Sequence, residues 1–175
     1  MLQKKGMVLV CTLWLALFMI PMGAVGADNE TQFEKEFTSF TPVFMSGHDG
    51  DLNYIGGFTG AGDIYLDGTK IGTLTATMTM INPPMSFTER YEYGQMKVVN
   101  TITGMGTFEV NGMVLLMGSS TVTTDFESTL VWTGSISNGT GSLGTLVGLS
   151  AGNATANMLT FTATGKELLL YRLGY

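Results

Sequence analysis

Between Gly72 and Ile81 the chain alternates without interruption, with Leu74, Ala76, Met78 and Met80 on one parity and Thr73, Thr75, Thr77 and Thr79 on the other. A period of two, apolar against hydroxyl-bearing, is the pattern of a half-buried β-strand. Asn82-Pro83-Pro84 ends it, because proline cannot donate to a strand ladder. The same test predicts strands at Phe40–Met45, Tyr54–Thr59 and Asp63–Leu66, with Asp67-Gly68 as a hairpin turn. Ser86–Tyr93 and Met96–Ile102 follow around Gly94, and Gly106–Val110 and Met113–Thr124 around an expected Asn111-Gly112 turn. Glu127–Ser137, Ser142–Leu149, Ala156–Thr164 and Glu167–Leu173 complete the set, separated by Asn138-Gly139, Ala151-Gly152-Asn153 and Gly165-Lys166.

These are roughly a dozen short candidates with turn residues between them, and no helical period survives beyond Phe37. The expected fold class is therefore all-β, a small closed antiparallel barrel of about eight strands, with a β-sandwich as the alternative. Closure removes the unpaired edges that would otherwise invite aggregation. The run Trp132–Gly148, dense in glycine and free of charge, fits a strongly curved wall. No fixed-period repeat points to a propeller or solenoid.

The amino-terminal segment breaks this pattern. Lys4 and Lys5 precede an uncharged stretch from Gly6 to Ala27 with an apolar heart at Met7–Ile20, then Pro21 and the small residues Ala24, Gly26 and Ala27. That layout predicts a cleaved signal peptide over residues 1–27 and a secreted, periplasmic or cell-surface protein, with no membrane span after cleavage. An uncleaved anchor is the alternative, disfavoured by Pro21 and the small residues that follow it. Residues 28–37, polar and acidic, read as a leader, and residues 38–175 as one barrel domain.

The one cysteine, Cys11, lies inside the apolar segment, so the expected mature chain has neither disulfides nor thiolate sites. The full chain has 8 basic and 14 acidic residues, a net charge of −6. Removal of Lys4 and Lys5 makes the balance more negative still. Nucleic acid is excluded as a partner, because phosphate backbones require a basic stripe. Asn29, Asn138 and Asn153 each begin an Asn-x-Thr sequon.

The run Gly134, Asn138-Gly139-Thr140-Gly141-Ser142-Leu143 and Gly148, followed by the closing Phe161–Gly165 strand, resembles the late strands of the allene oxide cyclase-like and dirigent-like barrels. Gly57–Gly60 and Gly104–Phe108 are similar in style to earlier strands of that group, so that the likeness spans about residues 55–165. The resemblance implies an eight-stranded antiparallel barrel that binds or converts a small hydrophobic molecule in its interior. It carries no catalytic residue over to a position of this chain.

Several groups are candidates for chemistry. Asp49, Asp51 and Asn53 have the alternate oxygen-ligand spacing of a calcium loop, although Tyr54 and Gly60 stand where an EF-hand needs glycine and glutamate. The competing reading is a solvated turn, and no other cofactor is expected. Met78 and Met80 could line an adaptable apolar pocket. With Met105, Met113, Met117 and His48 they could instead form a soft copper site, a reading weaker than ordinary core packing. Glu89, Tyr91 and Tyr93 share one strand parity and, if inward, would give a pocket its polar groups; the plainer reading places charge at the surface. Trp132 shares its parity with Leu130 and Gly134 and is expected in the core, or else as a ligand platform. One histidine and no Gly-x-Ser-x-Gly elbow argue against a serine triad and a zinc site.

The first expectation for function is an exported barrel that binds a small hydrophobic or amphipathic molecule in its interior. A cyclase or isomerase using the barrel as a template is the second. A non-catalytic structural or surface-interaction protein, its barrel filled by its own side chains, is the third. A homo-oligomer is compatible with all three.

Overall fold

The computed structural model describes residues 29–44, 54–82, 89–119, 127–157 and 159–174. They form a closed antiparallel barrel of eight strands in chain order: β1 (Asn29–Phe44), β2 (Tyr54–Leu66), β3 (Thr69–Asn82), β4 (Glu89–Ile102), β5 (Gly106–Ser119), β6 (Glu127–Ser137), β7 (Leu146–Asn157) and β8 (Thr162–Leu173). Each strand pairs with the next, and β8 returns to β1 in a register running from Asn29↔Tyr171 to Phe37↔Ala163.

The alternation read in β3 places Leu74, Ala76, Met78 and Met80 inside and leaves Thr73, Thr75 and Thr77 exposed. Asp67-Gly68 turns between β2 and β3, with both residues at positive φ. Phe33, Phe37, Ile64, Val98, Phe108, Val110, Val114, Leu130 and Leu169 complete much of a single core.

The segment read as a polar leader is instead the first half of β1. Phe33, Lys35 and Phe37 alternate inward there, between Glu34 and Glu36 facing out. A bulge between Phe37 and Ser39 shifts the phase, so that Phe40 is the next side chain to enter the core.

Asn111-Gly112 makes no hairpin. Both lie within β5, where Gly112 pairs with Met96 on one side and Gly134 on the other. A Cβ at Gly112 would collide with the Thr133 carbonyl oxygen, so this glycine lets two strands approach in a curved wall. Gly94, Ala151-Gly152-Asn153 and Gly165-Lys166 are likewise inside β4, β7 and β8, and the expected dozen segments merge into eight.

The two ends of the barrel differ. At one end the β6–β7 connection folds back through a 3-10 turn at Gly141–Leu143 and buries Leu143. The Thr140 amide donates to the Thr107 carbonyl at 2.9 Å, the Thr107 amide to Thr140 Oγ1 at 3.0 Å, and the Ser142 amide and hydroxyl to the Met105 carbonyl at 2.8 and 2.9 Å. The opposite end holds the last residues of β1, β3, β5 and β7 and the first of β2, β4, β6 and β8.

Candidate functional site: a buried Lys–Glu centre

Among the described residues one ionic group sits inside this apolar barrel. Lys35 enters from β1 because it shares the parity of Phe33 and Phe37, and Glu167 enters from β8 because it shares the parity of Ala163 and Leu169. The register pairs Phe33 with Glu167 and Lys35 with Gly165, so the two charged side chains are diagonal neighbours across the seam that closes the barrel. Lys35 Nζ lies 2.6 Å from Glu167 Oε2, with the side chains only 1% and 0% exposed.

The other carboxylate oxygen is held separately. Glu167 Oε1 accepts a hydrogen bond from Trp132 Nε1 at 3.1 Å and one from Ser150 Oγ at 2.7 Å. The ladder explains how Trp132 reaches it: Gly152 pairs with Trp132 on β6 and with Glu167 on β8. Any side chain at Gly152 would run into the indole ring, and its absence lets the indole cross β7 to the carboxylate. Ser150, two residues earlier on β7 and pointing inward, supplies the second donor.

Removing two charges from water costs several kcal/mol per ion, and their attraction repays that only where geometry is good and the remaining polar atoms are satisfied. Satisfaction here is uneven. Glu167 Oε1 has two donors, whereas Lys35 Nζ and Glu167 Oε2 touch each other without hydrogen-bond alignment, and neither has another partner among the described residues. A cavity of about 10 Å³, room for one water, adjoins Lys35 and is otherwise lined by apolar side chains, among them Met78, Met96, Leu130 and Trp132. Asn100, on β4, is buried apart from these: it is 0% exposed, and neither amide atom has a partner among the described residues.

Three of the sequence candidates are inside. Met78 and Met80 are buried in the core, and Trp132 is buried with its one polar atom committed to Glu167. Tyr93 is not among them. Its neighbours Gly94 and Met96 fix the inward phase of β4, which turns Tyr93 outward at 45% exposure and removes it from any interior pocket. The side chains of Glu89 and Tyr91 lie outside the described residues, as do His48 and the expected calcium ligands Asp49, Asp51 and Asn53. Among the described residues no three His, Cys, Asp or Glu side chains come together as a metal group.

Sequence reasoning passed over Lys35, Ser150, Glu167 and Asn100. A period-two reading begun at Phe33 reaches Lys35, and one run backward from Leu169 reaches Glu167. The carboxylates that interleave with Lys35 made the segment look like a solvated leader.

The outer wall carries a second lysine–glutamate pair, Lys97 Nζ to Glu109 Oε1 at 2.7 Å, with side chains 51% and 18% exposed. Lys97, then Asn138 donating to Oε2 at 2.7 Å, hold the Glu109 carboxyl below its ordinary value.

Comparison with protein-family models, with curated proteins and with solved structures finds no match to this chain.

Proposed function

We propose that this protein is an exported, non-catalytic barrel that acts through its outer wall, as a structural or surface-interaction protein associating with a second copy of itself. The observation that carries this reading is the filled interior. Two cavities that open among the core side chains measure about 10 Å³ each, while a small-molecule site needs on the order of several hundred. The outer wall is divided. On β1–β3 it presents Glu34, Glu36, Asp63 and a field of threonines; on β5–β8 it presents Met113, Val147, Leu149 and Leu170, with Lys166 and Arg172 beside them. The β1–β8 register sets Glu30 beside Leu170 and Glu34 beside Lys166, so this face carries both signs of charge at its edge, and Lys166 and Arg172 of one copy offset the acidic flank of the other. Export is supported by the basic, apolar and small-residue order of the first 27 positions.

Sedimentation equilibrium of the mature protein tests this. The expected result is a dimer that Leu149→Asp converts to a monomer with unfolding stability changed by no more than about 0.5 kcal/mol. A wild-type protein that stays monomeric at tens of micromolar overturns the reading.

A second reading keeps the small-molecule site implied by the resemblance to allene oxide cyclase-like and dirigent-like barrels. It is favoured by the cavity lined by the apolar side chains Phe40, Phe58, Met78, Leu116, Leu130 and Ala156, toward the end of the barrel where β1, β3 and β5 finish. A native mass spectrum of protein purified from its own envelope would show the occupant as added mass that departs on denaturation, and a bare polypeptide mass counts against it.

A further inference from the structure

We propose that Lys35 and Glu167 condense into an intramolecular amide, an isopeptide bond that ties the first strand of the barrel to the last. The case rests on how unequally the polar atoms of this centre are served. An ammonium group has three hydrogens to place, and among the described residues Lys35 Nζ has a single polar neighbour, Glu167 Oε2, which it meets at 2.6 Å without hydrogen-bond alignment. Buried polar groups normally find partners, and a buried lysine left this short of acceptors calls for an explanation. Amide formation supplies one, because the nitrogen then carries one hydrogen instead of three.

The carboxylate is arranged for the same reaction. Both donors converge on Oε1, at 2.7 Å from Ser150 and 3.1 Å from Trp132, and among the described residues none but Lys35 approaches Oε2. Donors at these distances are what stabilise an oxygen that gains negative charge when its carbon is attacked. Oε1 is therefore the oxygen that stays as the amide carbonyl, and Oε2 the one that leaves.

The step balances without any other reactant. Lys35 gives one proton to Oε2 along the short contact, and the freed Nζ lone pair attacks the Glu167 carboxyl carbon, with charge developing on Oε1. A second proton passes from nitrogen to Oε2, the carbon–Oε2 bond breaks, and one water departs as the carbonyl re-forms. The cavity beside Lys35 has room for that single water. Side chains that exclude bulk solvent from the centre then protect the amide from hydrolysis.

The location gives the bond a purpose. β1 and β8 are the one neighbouring pair of strands that no turn connects, so the barrel closes there through backbone hydrogen bonds and side chains alone. With Cys11 as its one cysteine, the chain cannot staple this seam by a disulfide.

The test is an intact mass, under denaturing conditions, of the mature chain from a sample whose circular dichroism shows the folded β structure. The expected mass is one water below that of the sequence. Trypsin should then release Glu167–Arg172 only as a branch attached through an uncleaved Lys35. Lys35→Met should restore the full mass, and Ser150→Ala, which keeps the nucleophile but removes one donor to Oε1, should slow the appearance of the deficit by about a hundredfold. Folded wild-type protein with the full sequence mass and a free Glu167–Arg172 peptide overturns the proposal, as does a mass deficit that persists in Lys35→Met.

Discussion

Two lysine–glutamate pairs of nearly equal length sit on opposite sides of this barrel wall. Lys97 and Glu109 meet at 2.7 Å outside, and Lys35 and Glu167 at 2.6 Å inside. The outer pair is half in water: salt screens it, and Asn138 and Asn111 share the carboxylate. The inner pair is sealed from bulk water, so among the described residues Lys35 depends on Glu167, whose other oxygen is held by Trp132 and Ser150. Distance does not distinguish them. What differs is the cost of removing a partner, because a stranded charge outside is rehydrated and a stranded charge inside is not.

The largest effect should come from breaking the inner pair. Glu167→Leu leaves Lys35 without its one polar neighbour and is expected to destabilise the fold by about 3–5 kcal/mol in urea unfolding. The double variant Lys35→Met/Glu167→Leu should recover the part of that loss that comes from the stranded charge. A single variant as stable as the wild type would erase the distinction between the two pairs.

Asn100 sharpens the comparison from the other direction. It is buried as deeply as Glu167, but among the described residues nothing answers its amide. Asn100→Leu, similar in size, is expected to stabilise by about 1–2 kcal/mol, since it removes an unpaired polar group instead of one half of a pair. A loss of stability would reveal a partner for the amide and place Asn100 beside Glu167 as a structural requirement.

The outer pair should give the smallest effect and a pH signature. The Glu109 carboxyl is held below its ordinary value, chiefly by its hydrogen bond with Lys97. As pH falls, the unfolded chain therefore takes up this proton first. The stabilisation is complete above the ordinary carboxylate range and drains away as pH drops through the lowered value. Glu109→Gln should flatten that limb of the stability–pH curve, matching the wild type in acid and falling slightly below it at neutral pH, and added salt should shrink the wild-type limb. An unaltered acid limb in the variant would assign it to other carboxylates.

Much of the wall was legible in advance. The β3 alternation, the Asp67-Gly68 hairpin and the bounds of β6 stand as the residues suggest, because each is a local decision made by side-chain parity or by a turn needing positive φ. Asn111-Gly112 and Ala151-Gly152-Asn153 misled for a shared reason. A glycine that turns a chain and a glycine that lets two strands touch look alike in one dimension, and only the neighbouring strand tells them apart. Of the interior candidates, Met78, Met80 and Trp132 were found through parity, and parity also sends Tyr93 outside once Gly94 is known to continue the strand.

By itself the sequence determined that this chain forms strands and which side chains each strand offers to a core, because the two-residue period is written locally. Only the tertiary structure decided which offered side chains meet. Lys35 and Glu167 come from the first and last strands, and one residue of slip in the β1–β8 register would turn either of them into solvent. Their contact, and the indole and hydroxyl that converge on the same carboxylate, exist because the barrel closes, a long-range event that no stretch of the chain encodes alone.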